Sequence, residues 1–226
     1  MGSKPIQIAN YNPPMATDRL NQLLEASGQP PLTLETAEKF SAYLTLLQKW
    51  NARTNLTAIR DEEGILSRHF LESILCAYKL PQGIVSLLDF GSGAGFPGIP
   101  IALIRPEISV TLAESQNKKA AFLREAIRTL NLEIKVHANR AESLQTTFDC
   151  VTLRAVDNMA AAIPAAIQLL NLTGWLAILT TLEDAPAIQA QANQTAPFHW
   201  RPLESLQAGT SRILLLGQRE TTIQPE

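Results

Sequence analysis

Residues 87 to 98 read Leu-Leu-Asp-Phe-Gly-Ser-Gly-Ala-Gly-Phe-Pro-Gly, and this stretch constrains the fold more than any other. An apolar run closed by Asp89 has the texture of a buried strand, and the alternate glycines Gly91, Gly93 and Gly95 then demand a tight turn. Glycine admits a positive φ and lets a ligand approach bare backbone, and in an open α/β sheet ligands sit outside the carboxyl ends of the strands. The stretch therefore predicts a strand, a ligand-holding turn and a helix. From Pro81 onward the chain repeats that theme, with short apolar runs alternating with helical stretches, as in a mostly parallel sheet covered by helices on both faces. Strands are predicted at 85–90, 108–114, 133–138, 148–153, 175–180 and 212–217, the last antiparallel, with a weaker candidate at 198–202. Helices are predicted at 98–105, 117–130, 159–170 and 185–194.

Ahead of the sheet lies a different texture. Residues 1–16 carry Pro5, Pro13 and Pro14 without periodicity and read as a mobile leader. Residues 17–82 read as a helical extension and 83–220 as the ligand-binding domain. In the extension, Leu20, Leu23 and Leu24 recur at helical spacing, and Thr33 or Thr36 opens a helix striped by Phe40, Tyr43, Leu44, Leu47 and Trp50. A third helix over 61–80 stops at Pro81. With 226 residues, 46% of them hydrophobic and 18% charged, the chain can bury a core without staples.

Composition also excludes partners. A net charge of −2 supplies no global basic field, so a nucleic acid would need a local patch, for which Arg53, Arg60, Arg68, Lys118, Lys119, Arg124 and Arg128 are candidates. Each of these charges also suits a plain solvated helix face. Cys76 and Cys150 form no CxxC pair, which argues against a disulfide scaffold or a zinc site. No apolar signal region or run of about 18 apolar residues occurs. A cytoplasmic protein without membrane or metal partners, and monomeric, is expected.

Two ligands compete for the glycine turn. Gly93 to Gly98 formally matches G-x-G-x-x-G with Glu114 further on, as a dinucleotide would require. Pro97 and Pro100, however, remove N–H donors that a pyrophosphate uses. Asp89 near the turn favours a ligand with a cationic sulfonium and ammonium and no phosphate, such as S-adenosylmethionine. Glu114, closing the second strand, suits the hydroxyls of a ribose, and Asn139 to Glu142 after the third strand would flank the adenine.

The chain resembles the class I S-adenosylmethionine-dependent methyltransferases, and within them the glucose-inhibited division protein B family of bacterial 16S ribosomal RNA guanine-N7 methyltransferases. The resemblance rests on Lys49 to Ile59, Arg68 to Ser73, Leu88 to Pro100, Ile104-Arg105-Pro106, Phe122-Leu123-Arg124 and Leu153-Arg154-Ala155. It implies a Rossmann-like sheet and a cofactor site at Asp89, Gly91, Ser92, Gly93, Gly95, Phe96, Glu114, Ala141, Glu142 and Arg154. It further implies Arg154 beside the methyl group as the catalytic residue, Asn55, Thr57 and His69 on the substrate side, and 16S ribosomal RNA or the small ribosomal subunit as partner. The sequence departs from the family where Thr180-Thr181 replace a Lys-Gly pair, where Glu114 is followed by Ser-Gln-Asn-Lys-Lys, and where Val156 replaces an aromatic.

The chemistry so implied needs no strong base, because guanine N7 carries a free lone pair; positioning suffices. Plainer roles compete at single residues: a structural ion pair for Arg154, core packing for His69, turn caps for Asn55 and Thr57. A same-fold methyltransferase acting on a small molecule or protein, and a non-enzymatic nucleotide-binding or RNA-binding module or dinucleotide oxidoreductase, are the competing readings. Asn12-Pro13-Pro14-Met15 is misplaced for an amine-gripping motif, and Cys150, inside an apolar strand, reads as a buried thiol rather than a nucleophile.

Overall fold

A computed structural model describes residues 15–221. The extension begins with α1 (Met15–Ala26), inside the stretch assigned to the leader; residues 1–14, with Asn12-Pro13-Pro14, lie outside the described residues. Helix α2 (Leu34–Thr54) is capped by Thr33, whose hydroxyl accepts the Thr36 N–H and satisfies one of the unpaired donors of a helix start. The helix predicted over 61–80 is wound in three manners: α3 (Glu62–Gly64), a π-helical stretch (Ile65–Leu71) and α4 (Glu72–Lys79). Such wide turns concentrate at functional sites, and hydrophobic periodicity does not announce them.

The sheet follows as β1 (Ser86–Phe90), α5 (Gly98–Ile104), β2 (Ser109–Ala113), α6 (Asn117–Thr129), β3 (Lys135–His137), β4 (Phe148–Arg154), α7 (Met159–Gln168), β5 (Leu170–Thr181), α8 (Ala185–Thr195), β6 (Phe198–Trp200), β7 (Glu204–Ser205) and β8 (Arg212–Arg219). Its order is β3-β2-β1-β4-β5-β8-β6, with β7 also on β8. The first five are parallel, and β8 runs antiparallel to β5, as expected. Two-residue β7 left no periodicity to read. Strand β5 starts at Leu170, five residues before the expected Trp175, because Leu170 pairs with Phe148 ahead of an irregularity in the ladder.

Period-two alternation divides the core. Leu87, Val110, Leu112, Cys150, Ala177 and Leu214 face one cluster and Leu88, Val151, Leu153, Ile178 and Leu215 the other. The first cluster also contains Leu20, Phe40, Tyr43, Phe70 and Ile74 from the extension. The extension is thus one wall of the sheet's own core. No helix among the described residues is long and apolar enough to cross a membrane.

Phe70 joins these parts, with ring centroids 5.1 Å from Phe40, 5.3 Å from Tyr43 and 5.7 Å from Phe96 of the glycine turn. Its side chain is fully buried, so truncation leaves a cavity between extension and turn. Phe70→Ala is expected to lower the unfolding free energy by about 3 to 5 kcal/mol in urea denaturation. A loss below about 1 kcal/mol, the scale of a surface change, would mean that the ring does not tie the two together.

Candidate active site

The carboxyl ends of β1, β2 and β4 open onto a cleft of about 750 Å³. Its floor is the glycine turn, and two carboxylates hold that turn by its backbone. Asp89 accepts the Gly98 N–H at 3.1 Å and the Thr152 hydroxyl at 2.9 Å. Gly98 has to be glycine for this approach, since a Cβ there would fall 2.3 Å from a Leu112 methyl and 2.8 Å from the Asp89 carboxylate. Glu114 accepts the Gly93 N–H at 2.9 Å through one oxygen and the Gln116 N–H at 2.7 Å through the other.

These bonds divide the residues expected at the cofactor site. Gly91, Ser92, Gly93, Phe96, Glu114, Ala141, Glu142 and Arg154 line the cleft. Asp89 and Gly95 are not among the lining residues. Asp89 is 1% exposed behind the turn, and burial pushes its carboxyl up to about 6 against the hydrogen bonds from Thr152 and Gly98. Gly95 takes φ +92°, and a Cβ there would meet Ile99 at 2.6 Å and the Tyr43 hydroxyl at 2.7 Å. It is a glycine for packing, whereas a Cβ on Gly93 would meet nothing nearer than 3.9 Å.

On the substrate side Thr57 and His69 line the cleft and Asn55 does not. Asn55 ends α2 at φ +39°, and its side-chain oxygen accepts from Arg60, a capping role. His69 bonds the Thr57 hydroxyl through Nε2 at 2.7 Å and stacks on Phe96 at 4.7 Å between centroids, while its buried Nδ1 has no hydrogen-bond partner among the described residues. Burial, then the charges of Arg154, Arg68 and Arg212, pull its pKa down to about 3, so the ring is neutral at physiological pH.

Arg154 at the end of β4 has its guanidinium carbon 5.9 Å from the centre of the Phe96 ring. Its Nη2 donates to the Arg68 carbonyl at 2.6 Å and to Glu72 at 3.3 Å, leaving a buried Nε without a partner among the described residues. Burial pulls its pKa below the usual arginine value, opposed by Glu72. Glu72 and Arg212, the latter also in the cleft lining, belong to this cluster although the sequence reading did not single them out. The signal available for Glu72 was an acid inside the apolar run Phe70 to Ala77; for Arg212, at a strand start, there was none. Elsewhere the structure gives one departure local work, since the Thr181 hydroxyl donates to Asp184 at 2.8 Å and accepts its N–H at the start of α8. Cys150 is a fully buried free thiol whose pKa burial raises well above its usual value, which leaves no nucleophile there.

The neutral His69 makes stability depend on pH with a definite sign. The unfolded chain protonates this ring near 6.5 and the folded one near 3, so the stability that it contributes is complete above 6.5 and is lost as pH falls, at up to about 1.4 kcal/mol per unit. Asp89, raised, works oppositely, losing stability as pH rises through about 6, and cancels when two chains that both keep it are compared. Between pH 6.5 and 4.5 the wild type is expected to lose more stability than His69→Phe, measured by urea denaturation. Identical slopes would mean that the ring titrates normally.

A family model described as rRNA small subunit methyltransferase G matches residues 36–205. Ribosomal RNA small subunit methyltransferase G of Roseiflexus sp. (strain RS-1) is 46% identical over 144 residues, 61% of this chain and 62% of that protein, so the alignment spans less than two thirds of the relative. The protein of the same name from Xanthomonas campestris pv. campestris (strain B100) is 40% identical over 167 residues, 73% of this chain and 76% of its own. Among solved structures, a methyltransferase from Pyrococcus furiosus superposes with a TM-score of 0.59 at 16% identity, covering 81% of this chain and 99% of that one. Magnesium protoporphyrin IX methyltransferase from Synechocystis PCC 6803, solved with bound S-adenosylmethionine, gives 0.56 at 14% identity over 79% and 97%. The fold is that of the Rossmann-like class I methyltransferases, and the chain belongs to the rRNA small subunit methyltransferase G family.

Proposed function

We propose that this protein transfers the methyl group of S-adenosylmethionine to N7 of one guanine in 16S ribosomal RNA, carried by the small ribosomal subunit, and that it does so in the cytoplasm. The observation that carries this reading is a single cleft lined both by bare glycine backbone beside Glu114 and by the arginine cluster of Arg68, Arg154 and Arg212. The residues present fit the cofactor. Gly91 and Gly93 offer backbone without side chains, and both Glu114 oxygens, each engaged with one N–H, keep acceptor capacity for ribose hydroxyls. Ala141 and Glu142, in a 3-10 turn after β3, are available to flank an adenine. When bound, the cofactor supplies an electrophilic methyl group on a sulfonium.

What the chain itself contributes is position and charge. Guanine N7 attacks through a lone pair that is not protonated at neutral pH, so no residue has to remove a proton, and a neutral His69 suits that requirement. Arg154 donates to O6 of the base, leaving the N7 lone pair free, or holds a neighbouring phosphate. Arg68 and Arg212 line the cleft beside it and counter the charge of the RNA backbone.

Methyl transfer from radiolabelled S-adenosylmethionine to small subunits from cells lacking this protein tests the reading. Label is expected in 7-methylguanosine, and Arg154→Ala is expected to lower kcat by about 100-fold, the scale of lost positioning. Label in another nucleoside, or none while the cofactor binds, would move the reading to a different methyl acceptor.

A further inference from the structure

Glu72 is the most deeply buried charged side chain among the described residues, with no exposed surface. It opens α4 directly after the π-helical stretch, between Leu71 and Ser73, themselves buried. An ionised carboxylate persists at that depth only if its oxygens are met by donors. They are met by two guanidiniums. Arg212 approaches with Nε and Nη2, each 3.3 Å from a different oxygen, and Arg154 with Nη2, also at 3.3 Å.

The two arginines come from separate parts of the sheet. Arg154 ends β4 and Arg212 opens β8, and β5 lies between those strands. Both line the cleft, and the Arg68 carbonyl takes the second bond of the same Arg154 Nη2. One carboxylate for two guanidiniums leaves a positive charge unmatched within this trio. That surplus, on two arginines that both line the cleft, suits an anionic or acceptor-rich substrate.

We infer that Glu72 is a positioning residue: it fixes the Arg154 and Arg212 guanidiniums across the end of β5 so that together they receive the RNA substrate at the cleft. This rests on the proposed function and adds to it a residue that touches no substrate. A bare electrostatic role has the opposite sign, since removing a negative charge from an RNA-binding cleft tightens binding and speeds capture. A positioning role instead separates binding from turnover.

Kinetics on small subunits with Glu72→Gln, Glu72→Asp and the same glutamine change in an Arg154→Ala background distinguish these. For Glu72→Gln, subunit affinity is expected to stay within about threefold or to tighten, while kcat falls by about 100-fold, the scale of a misplacement of about 1 Å. Glu72→Asp is expected to recover part of that loss, and in the Arg154→Ala background the glutamine change is expected to add less than about threefold, as for residues acting as one unit. Equal costs in both backgrounds, an unchanged kcat in folded Glu72→Gln, or an unfolded Glu72→Gln beside a fully active Glu72→Asp would overturn the inference. A wild-type chain that transfers no methyl group to the subunit would overturn it together with the reading it rests on. An active wild type with indifferent Glu72 variants overturns the inference alone.

Discussion

A turn built of alternate glycines has no side chains with which to hold its own shape, so its form has to be imposed through its N–H groups. Here the Gly91 and Ser92 N–H groups go to the Ala113 carbonyl and those of Gly95 and Phe96 to the Ser92 carbonyl, and two carboxylates fix what these bonds leave open. Asp89 takes the Gly98 N–H where the turn enters α5, and Glu114 takes the Gly93 N–H from the neighbouring strand. Because β1 pairs in register with β2, Asp89 beside Leu112 and Phe90 beside Ala113, both acids arrive at the same sheet edge. The cost of burying them is offset by the bonds that they accept, and Asp89 alone receives Gly98 and Thr152, the latter from β4.

The extension supplies what the carboxylates cannot, a rigid back to the turn. Tyr43 of α2 donates its hydroxyl to the Ala94 carbonyl, and its ring stacks on Phe96 at 5.3 Å. Phe96 in turn carries His69 on the cleft side. Aromatic faces in this order back the loop by dispersion and shape, beside the backbone bonds that tie it to Ala113. The extension is therefore part of the site, and its residues Thr57, Arg68 and His69 line the same cleft as the sheet's own glycines.

Much of this was legible in the sequence because it follows local rules. The strand-turn-helix at 87–98, the strand and helix alternation after Pro81 and the Thr33 cap are set by neighbours a few residues apart, and the fold repeats them. Legibility ends where distant residues meet. Asp89 and Glu114 were both read as ligand-facing acids, and only the tertiary arrangement assigns Asp89 to the back of the turn while leaving Glu114 on the cleft. Gly93 and Gly95 look alike in the motif, yet one borders open space and the other abuts Tyr43, 52 residues earlier in the chain. The partnership of Glu72 with Arg212 joins residues 140 apart, beyond the reach of any periodicity.

The charges lining the cleft also bear on how a chain of net charge −2 would face the polyanion proposed as its substrate. Global charge governs long-range steering, whereas a groove responds to the groups within a Debye length, about 8 Å at physiological salt. Around the end of β4, Arg68, Arg154 and Arg212 line the cleft, and the buried carboxylate of Glu72 bonds two of them. Elsewhere in the lining the signs are mixed, since Glu114 and Glu142 stand with Lys119 and Arg140, and Arg140 pairs with Glu142 at 3.6 Å. With Asp157 counted, the lining still carries more basic than acidic side chains. The RNA proposed as substrate would therefore meet a local positive field, and the near-neutral total of the chain carries no information about that field.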